Sequence, residues 1–511
     1  MIYLWQSYIS TGKTHHQIHT SWGEGMNLRK QHIIIILFAA LLLGFAGAYF
    51  GVKLAQPDTL PEQIQETNKE EPNTSQDSSA PPENIEKVSQ AFNLIKDNYL
   101  NDVDDKQLIE GAIQGMLTTL EDPYSSYMDV ETMERFNETI ESSFEGIGAE
   151  VSTVNGKVTI VAPIKDSPAE EAGLRPNDKI LSVDDESVVG MDLYEAVEKI
   201  RGEKGSEVVL EIQRTGVSDP FDVKIVRDDI PVETVYSEVK TVDGKKTGVI
   251  EITTFSENTA KDFSKELKKL EDKNIEGLVI DVRGNPGGLL TAVEDILKNF
   301  IPKNMPYLQV ENQKGEKSKS FSELEEKKPY PISVIIDEGS ASASEILAVA
   351  MKEAGYDVVG TKSYGKGTVQ QAVPMGDGST IKLTFFKWLS PKGTWIHEKG
   401  VKPTEKVEQP DYYFTNPVQV EDSIAYNHTG DKVENVQVML KGLDYKPGRT
   451  DGYFSKETEK AVQAFQADND LEVTGEINEK TAGQIQAKIV EKVRDGDDDR
   501  QKEKALNVLY E

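Results

Sequence analysis

The longest apolar stretch of the chain is residues 33–52, which contain no charged side chain. In a helix with about 1.5 Å rise per residue, this run spans about 30 Å, the thickness of a bilayer's hydrocarbon core. Arg29 and Lys30 precede it, and positive residues favour the cytoplasmic side. The pattern predicts a single-pass anchor over 33–53, with 1–32 in the cytoplasm and the remainder outside.

A cleaved signal peptide is the alternative, because the small residues 46–48 resemble a cleavage site. The anchor is favoured because the apolar run is longer than a usual signal core. Met26 begins a complete start for an exported protein, so residues 1–25 are interpreted as a mis-assigned start. Residues 54–84 are rich in Pro, Glu, Ser, Thr and Gln, which predicts a flexible linker.

Within residues 85–130 apolar residues recur at helical spacing in two groups. They are Val88, Phe92, Ile95 and Tyr99, then Leu108, Ile109, Ile113 and Met116. The spacing predicts two helices ending near Asp122. We assign them a packing or dimerisation role and expect a homodimer.

Residues 140–228 alternate short strand patterns with glycine turns. The predicted elements are strands at 156–161, 179–183 and 208–213 and helices at 167–174 and 193–200. With the run SPAEEAGLRPNDKILSV at 167–183, this order resembles a PDZ domain of the bacterial protease type. In such domains a glycine loop holds a peptide's terminal carboxylate through backbone N–H groups, while the peptide extends the sheet. The residues at that position are Phe144, Gly146, Ile147 and Gly148. An ordinary tight turn, or a module that is only a structural lid, is the alternative.

Residues 229–410 contain two strand–turn–helix units. The first has an apolar strand at 277–282, a turn at 283–288 and a helix to about 300; the second has a strand at 332–336 and a helix at 342–354. Polar turns at strand ends are where α/β folds place their chemistry.

Residues 430–490 contain an internal repeat. Gly452 lies six residues before Thr458, and Gly475 lies six residues before Thr481, with a helix after each. The module resembles the three-helix peptidoglycan-binding domain of bacterial wall enzymes, which makes peptidoglycan a candidate ligand. A packing or dimerisation domain that has lost its ligand is the alternative. Residues 491–511 are predicted to be a charged, solvated tail.

Composition removes several functional classes. The net charge of −31 argues against nucleic-acid partners, which require clustered positive residues. The absence of cysteine excludes thiolate metal sites, a cysteine nucleophile and disulfides. No histidine lies in an HExxH run, so we expect no zinc site, and no cofactor is implied. His397 is the candidate for a Ser–His–Asp triad, whereas His428 lies in a polar interdomain stretch.

A serine-rich turn, GSASASE at 339–345, joins a predicted strand to a helix. Alone it is ambiguous, because such turns also cap helices. Together with DVRGNPGG at 281–288 and GTKSYGKGTVQQ at 360–371, it resembles the C-terminal processing (tail-specific) peptidases, a serine protease family, over roughly residues 85–410. Some Gram-positive members carry the wall-binding module.

The resemblance implies roles for five positions. Ser342 is the nucleophile, Lys366 the general base and Gln370 the residue that orients the lysine, while the backbone N–H groups of Ala343 and Gly288 form the oxyanion hole. Because an ordinary lysine is protonated at neutral pH, Lys366 must be buried to act as a base. Lys362 is the rival base.

The predicted fold class is α+β multidomain: a transmembrane helix, N-terminal helices, a PDZ domain, an α/β crotonase-like protease core and a three-helix peptidoglycan-binding-like domain. The predicted function is a membrane-anchored, extracytoplasmic serine endopeptidase of a Gram-positive-type bacterium. Its expected substrates are exported or membrane proteins with accessible C-termini. Arg201, after the second PDZ helix, is expected to contact the core when peptide is bound; a solvated helix-terminal charge is the alternative. A catalytically inactive scaffold and a crotonase-like acyl-transfer enzyme are the other candidate functions.

Overall fold

The computed structural model describes residues 85–511, apart from 155, 421 and 497. The predicted cytoplasmic segment, anchor and linker lie outside the described residues. Among the residues described, no helix is long and apolar enough to cross a membrane.

Two amphipathic helices begin the described chain, as the spacing predicts. They are α1 (Glu86–Asn98) and α2 (Asp105–Thr118), followed by strand β1 (Ser126–Met128) and helix α3 (Val130–Ile140). The Asp104 side chain caps α2 by accepting a hydrogen bond from the Gln107 N–H. Neither α1 nor α2 contains a buried residue, and their apolar side chains are largely exposed.

The PDZ domain is an antiparallel sheet of order β3-β4-β5-β7-β8, with the short β6 beside β5. Its strands are β3 (Ala149–Val154), β4 (Lys157–Pro163), β5 (Lys179–Val183), β6 (Glu186–Ser187), β7 (Glu207–Gln213) and β8 (Phe221–Val226). Helices α4 (Pro168–Glu171) and α5 (Leu193–Ile200) cover it, and strands β2 (Ser143–Gly146) and β9 (Asp228–Pro231) pair where the chain enters and leaves the domain. In β7 buried residues alternate with less buried ones, as expected for a strand with one face in a core.

The protease core contains a six-stranded central sheet of order β10-β11-β12-β15-β16-β19. The strands are β10 (Val235–Val242), β11 (Lys245–Ile252), β12 (Gly277–Asp281), β15 (Ile332–Ile336), β16 (Asp357–Gly360) and β19 (Glu405–Lys406), parallel except for the β10–β11 pair. Every residue of β12 and β15 is buried, which is typical of parallel strands covered on both faces. Helices α6 (Thr259–Asp272), α7 (Leu290–Leu297) and α8 (Ala343–Glu353) share one buried cluster with the sheet.

A second sheet lies beside the core and includes a strand from the N-terminal segment. It contains β1, β13 (Leu308–Glu311), β14 (Lys317–Ser320), β17 (Thr368–Pro374) and β18 (Thr380–Leu389). Strand β1 pairs antiparallel with β18, so Ser126 lies opposite Lys382. This pairing brings the turn before β1 to the protease core.

The C-terminal module consists of α9 (Asp431–Gly442), α10 (Lys456–Asp468) and α11 (Glu479–Arg494). Two buried glutamines have equivalent roles in it. Gln437 accepts from the Gly452 N–H and donates to the Thr458 hydroxyl, and Gln466 does the same for Gly475 and Thr481. The repeat in the sequence is therefore a repeat of hydrogen bonds.

The prediction of a solvated tail is wrong. Helix α12 (Arg500–Asn507) and the turn Val508–Tyr510 pack against the face of the central sheet opposite α6–α8. Ala505 and Leu509 bury their side chains there, among Val249, Val279, Ile335 and Val359. The charged residues of this segment obscure the i, i+4 spacing of its two apolar anchors.

Candidate active site

Ser342 occupies a strained turn between β15 and α8. Its φ of 53° and ψ of −112° lie outside the regions that non-glycine residues ordinarily adopt. Such strain costs about 1–3 kcal/mol and clusters at functional sites. The neighbouring Ser340 and Ser344 are fully buried and donate to the carbonyls of Val282 and Asn285. Of the three serines in this turn, Ser342 is the one that is partly exposed.

The loop 283–288, which we call the oxyanion loop, lies directly against Ser342. A Cβ added to Gly287 would come within 2.8 Å of the Ser342 Cβ and 3.0 Å of the Ala343 nitrogen. A Cβ added to Gly288 would overlap the carbonyl oxygen of Phe255. Glycine is required at both positions, which also have positive φ.

The N–H groups of Gly288 and Ala343 donate to no acceptor within the described chain. Ala343 is the first residue of α8, where helix N–H groups lack intrahelical partners and carry partial positive charge. Two such groups beside a serine can stabilise the negative oxygen of a tetrahedral intermediate. Ala343 and Gly288 therefore lie where the resemblance predicts an oxyanion hole.

Glu345 connects the turn that carries Ser342 to residues 363–366, which we call the lysine loop. The sequence analysis did not assign this role to Glu345. Its buried carboxylate accepts from the backbone N–H groups of Ser342 (2.9 Å), Gly365 (2.7 Å) and Lys366 (2.8 Å), and from the Ser363 hydroxyl (2.6 Å). The signal in the sequence was the S-x-x-E spacing of 342–345, which is typical of a capping box. That spacing gave no indication of the contacts to 363–366.

Lys366 is partly buried, which is the kind of environment that favours a lysine base. Burial lowers its pKa, and the positive charge of Lys382 lowers it further, while Asp122 and Glu345 act in the opposite direction. The net effect is a pKa below the usual value of a lysine. A larger fraction of Lys366 is therefore neutral near pH 7 than for an ordinary lysine.

The ammonium of Lys366 lies over the ring of Tyr124, 5.0 Å from its centroid. Tyr124 belongs to the turn before β1, which Ser125 fixes to β18 by accepting from the Thr384 N–H. Burial and a hydrogen bond with Tyr364 raise the pKa of Tyr124 to about 12, so its hydroxyl is neutral. In the structure described, no hydrogen bond joins Lys366 Nζ to Ser342 Oγ.

Gln370 lies on β17 at a shift in the β17–β18 register. Its side-chain amide donates to the hydroxyls of Thr368 and Thr384, each at 3.0 Å. Within the described residues it makes no hydrogen bond to Lys366 Nζ. The structure therefore brings Gln370 into the region of the lysine loop without placing it on the amine.

The rival catalytic residues have other surroundings. His397 accepts from the Gly367 N–H at Nδ1 (3.3 Å) and stacks on Trp395, and no described carboxylate is hydrogen-bonded to it. This arrangement does not match a Ser–His–Asp triad, in which the imidazole bridges a serine and a carboxylate. Lys362 is exposed, whereas Lys366 is partly buried.

The predicted peptide-binding loop of the PDZ domain runs from β2 into β3. The N–H groups of Ile147 and Gly148 donate to no acceptor in the part of the chain that is described. The Arg201 guanidinium lies over the ring of Phe144, 5.3 Å from its centroid, and its Cγ is near Gly146. Arg201 therefore contacts the loop itself.

A serine on a strained turn beside two available N–H donors is an arrangement typical of serine hydrolases. Four family models match the chain. They are "Peptidase family S41" at 246–407, "PDZ domain" at 159–214, "Activating protease CtpB N-terminal domain" at 41–132 and "Putative peptidoglycan binding domain" at 429–485. The chain belongs to peptidase family S41, which confirms the predicted family.

Two relatives extend this similarity along most of the chain. Carboxy-terminal processing protease CtpB of Bacillus subtilis (strain 168) is 51% identical over 484 residues, which are 94% of this chain and 100% of that protein. Carboxy-terminal processing protease CtpA of the same organism is 43% identical over 426 residues, 83% of this chain and 90% of that protein. The chain is therefore an enzyme, a carboxy-terminal processing serine protease.

Proposed function

We propose that the chain cleaves its substrates with a Ser342–Lys366 dyad. Neutral Lys366 takes the proton of Ser342 as the serine oxygen attacks the peptide carbonyl. The N–H groups of Gly288 and Ala343 stabilise the oxyanion, and Lys366 then protonates the leaving amine. Water attacks the resulting acyl-enzyme as Lys366 takes its proton; the bond to Ser342 Oγ then breaks, Lys366 returns the proton to the serine oxygen, and the second product is released.

The observation that carries this proposal is the linkage through Glu345. One buried carboxylate binds the backbone of Ser342 and the backbone of Lys366, so the two functional residues are fixed relative to each other. In the described conformation the lysine side chain faces Tyr124, and catalysis requires it to rotate towards Ser342. Gln370 is proposed to hold the rotated amine after releasing Thr368 or Thr384.

Substrate selection is proposed to occur at the PDZ loop. A free carboxylate at the end of a substrate would accept from the available N–H groups of Ile147 and Gly148, with Phe144 and Gly146 completing the loop. The contact of Arg201 with Phe144 supports a role for Arg201 in sensing whether this loop is occupied. Arg201 would then transmit peptide binding towards the protease core.

We place the enzyme at the cell membrane, anchored through residues 33–53, with the catalytic domain outside and exported or membrane proteins as substrates. The exposed apolar faces of α1 and α2 support a homodimer formed through these helices. The match of residues 429–485 to a peptidoglycan-binding domain supports wall glycan as a ligand of the C-terminal module.

An inactive scaffold is the second candidate function. The observation that favours it is that Lys366 Nζ lies over the Tyr124 ring and, among the described residues, forms no hydrogen bond with Ser342 Oγ. A scaffold would bind C-terminal peptides through the PDZ domain and leave them intact.

Digestion of β-casein by the purified full-length chain tests the proposal. We expect cleavage by the wild type, stimulated by peptides with a free C-terminus, and a loss of at least about a thousandfold in Ser342→Ala and Lys366→Ala. Lys362→Ala is the matched control and should retain full activity because Lys362 is exposed. Binding of C-terminal peptides without any cleavage would instead support the scaffold.

A further inference from the structure

The C-terminal segment 499–511 completes the protease core. Besides the buried Ala505 and Leu509, the Tyr510 hydroxyl hydrogen-bonds the Thr247 hydroxyl at 2.6 Å, and Ser333 donates to the Ala505 carbonyl at 2.8 Å. Lys502 forms an ion pair with Glu238 at 2.6 Å. The segment is therefore fixed along several strands of the central sheet.

A further contact of the segment, largely buried, involves Arg283, the first residue of the oxyanion loop. Its guanidinium donates to both Asp499 oxygens, each at 2.8 Å, and to both oxygens of Asp281, at 2.6–3.1 Å. The side chains of all three residues are at most 18% exposed. Burial opposes the ionisation of Asp499, but its hydrogen bonds and ion pair with Arg283 outweigh burial and hold its pKa below the usual range.

Asp499 also fixes the start of the segment. Its carboxylate accepts from the Lys502 N–H as the N-cap of α12, and from the side-chain amide of Gln409. The carboxylate is thus held by the Lys502 N–H and the Gln409 amide in addition to Arg283, so it can act as a rigid support. A bidentate arginine–carboxylate pair fixes orientation as well as distance.

Arg283 holds the start of the oxyanion loop, where the chain has just left β12, and the loop has further hydrogen bonds at later residues. The Gly284 N–H donates to Asp337 at 2.8 Å, the Asn285 side chain donates to the Ile252 carbonyl, and the Gly287 carbonyl accepts from the Phe255 N–H. A small displacement at Arg283 moves the Gly288 N–H, which must meet the oxyanion at hydrogen-bond distance.

We propose that Asp499 is a positioning residue for the oxyanion hole, acting through Arg283 on the loop that presents the Gly288 N–H. The role rests on the proposed function, since it assumes that Gly288 and Ser342 act in catalysis. Asp499 lies near the C-terminal end of the sequence, after the C-terminal module and more than 200 residues beyond the oxyanion loop that it supports.

The test is Asp499→Asn in the full-length protein, which preserves the side-chain volume and a capping oxygen but removes the charge. With a quenched fluorescent peptide that the wild type cleaves, we expect kcat to fall on the order of tenfold with KM nearly unchanged, because the oxyanion forms only in the transition state. The inhibition constant of a peptide aldehyde, whose adduct on Ser342 carries an oxyanion, should weaken by a similar factor. Asp499→Glu, which keeps the charge, should restore most of kcat.

Lys502→Gln is the matched control, since it breaks another ion pair of the same segment without touching the oxyanion loop, and it should leave kcat unchanged. Equal losses in Lys502→Gln and Asp499→Asn, with parallel falls in melting temperature, would overturn the inference in favour of a purely structural role. An unchanged kcat and aldehyde affinity in a folded Asp499→Asn would overturn it as well.

If Asp499→Asn does not fold, Leu509→Ala supplies the second measurement. It loosens the segment that carries Asp499 from the sheet and so weakens the support of Arg283; kcat should therefore fall more than KM rises, and an effect confined to KM would contradict the inference. Ser342→Ala, assayed in parallel, distinguishes a failure of the proposed function from a failure of this inference alone. Cleavage by Ser342→Ala overturns the proposed function, whereas an inactive Ser342→Ala with an unaffected Asp499→Asn overturns the inference alone.

Discussion

The proton affinity of Lys366 is set by residues from several elements. Burial and the charge of Lys382 on β18 disfavour its ammonium form, whereas Asp122 and Glu345 favour it. The ring of Tyr124 faces the amine directly and also favours the cation. Because a general base must be unprotonated, kcat/KM should rise with pH through the lowered pKa of Lys366.

Replacing Lys382 with methionine tests this balance. The substitution removes a positive charge that lowers the pKa of Lys366, so that pKa should rise. The ascending limb of the pH profile should then move to higher pH, with kcat/KM reduced several-fold near pH 7 and recovered in alkaline solution. The pH dependence of kcat/KM for a quenched fluorescent peptide is the measurement.

Lys387→Met is the matched control, because Lys387 lies on the same strand but its cation faces Trp395. Its profile should superimpose on that of the wild type. A shift of the Lys382→Met profile to lower pH, or an equal shift in both variants, would contradict the assignment of Lys366 as the base.

At the scale of elements, the predictable parts were those with strong local patterns. The apolar runs of β12 and β15 and the spacing of α1, α2 and α5 are visible in the sequence, because each element buries or presents a periodic face. The roles predicted for Ser342, Lys366 and Gly288 came instead from the resemblance of three motifs to the C-terminal processing peptidases.

Contacts between distant segments were not predictable from local patterns. The pairing of β1 with β18, which brings Tyr124 to Lys366, joins residues more than 250 positions apart. The docking of α12 depends on two small patches of apolar surface hidden among charges. Likewise, the amide bonds of Gln370 to Thr368 and Thr384 depend on a register shift between two strands.

The C-terminal module offers a test of its internal repeat. Gln437→Ala and Gln466→Ala should each destabilise the module by about 2–3 kcal/mol, since each removes a buried amide and leaves backbone N–H and hydroxyl groups without partners. Urea unfolding of the module's transition is the measurement, and peptide cleavage should be unchanged.

Gln484→Ala, at a partly exposed position of α11, is the control and should cost less than about 0.5 kcal/mol. If only one of Gln437→Ala and Gln466→Ala lowered the free energy of unfolding, the two halves of the sequence repeat would not contribute equally to stability.

At the scale of the whole molecule, the exposed apolar residues of α1, of α2 and of the link between them need a partner. Leu94 and Leu100 are 65% and 92% exposed on a chain whose net charge is −31. Such a charge disfavours non-specific association. We therefore expect these side chains to be covered by a specific interface between two copies of the chain.

The double variant Leu94→Glu, Leu100→Glu should therefore be monomeric at concentrations where the wild type is dimeric, because it places charges inside the interface. Sedimentation velocity of the full-length chain in detergent measures this. Val490→Glu, at a similarly exposed apolar position of α11, should remain dimeric. Dimers of unchanged stability in the double variant would exclude this face as the interface.

The central claim is that Ser342 is a nucleophile activated by Lys366, and covalent trapping tests it most directly. A peptide p-nitrophenyl ester is mixed with the full-length protein, quenched in acid and mapped by mass spectrometry. The account predicts an acyl group on Ser342, absent from Ser342→Ala and formed far more slowly in Lys366→Ala, with Ser340 and Ser344 unmodified. An acyl group on another residue, or formation on Ser342 at an unchanged rate without Lys366, would contradict it.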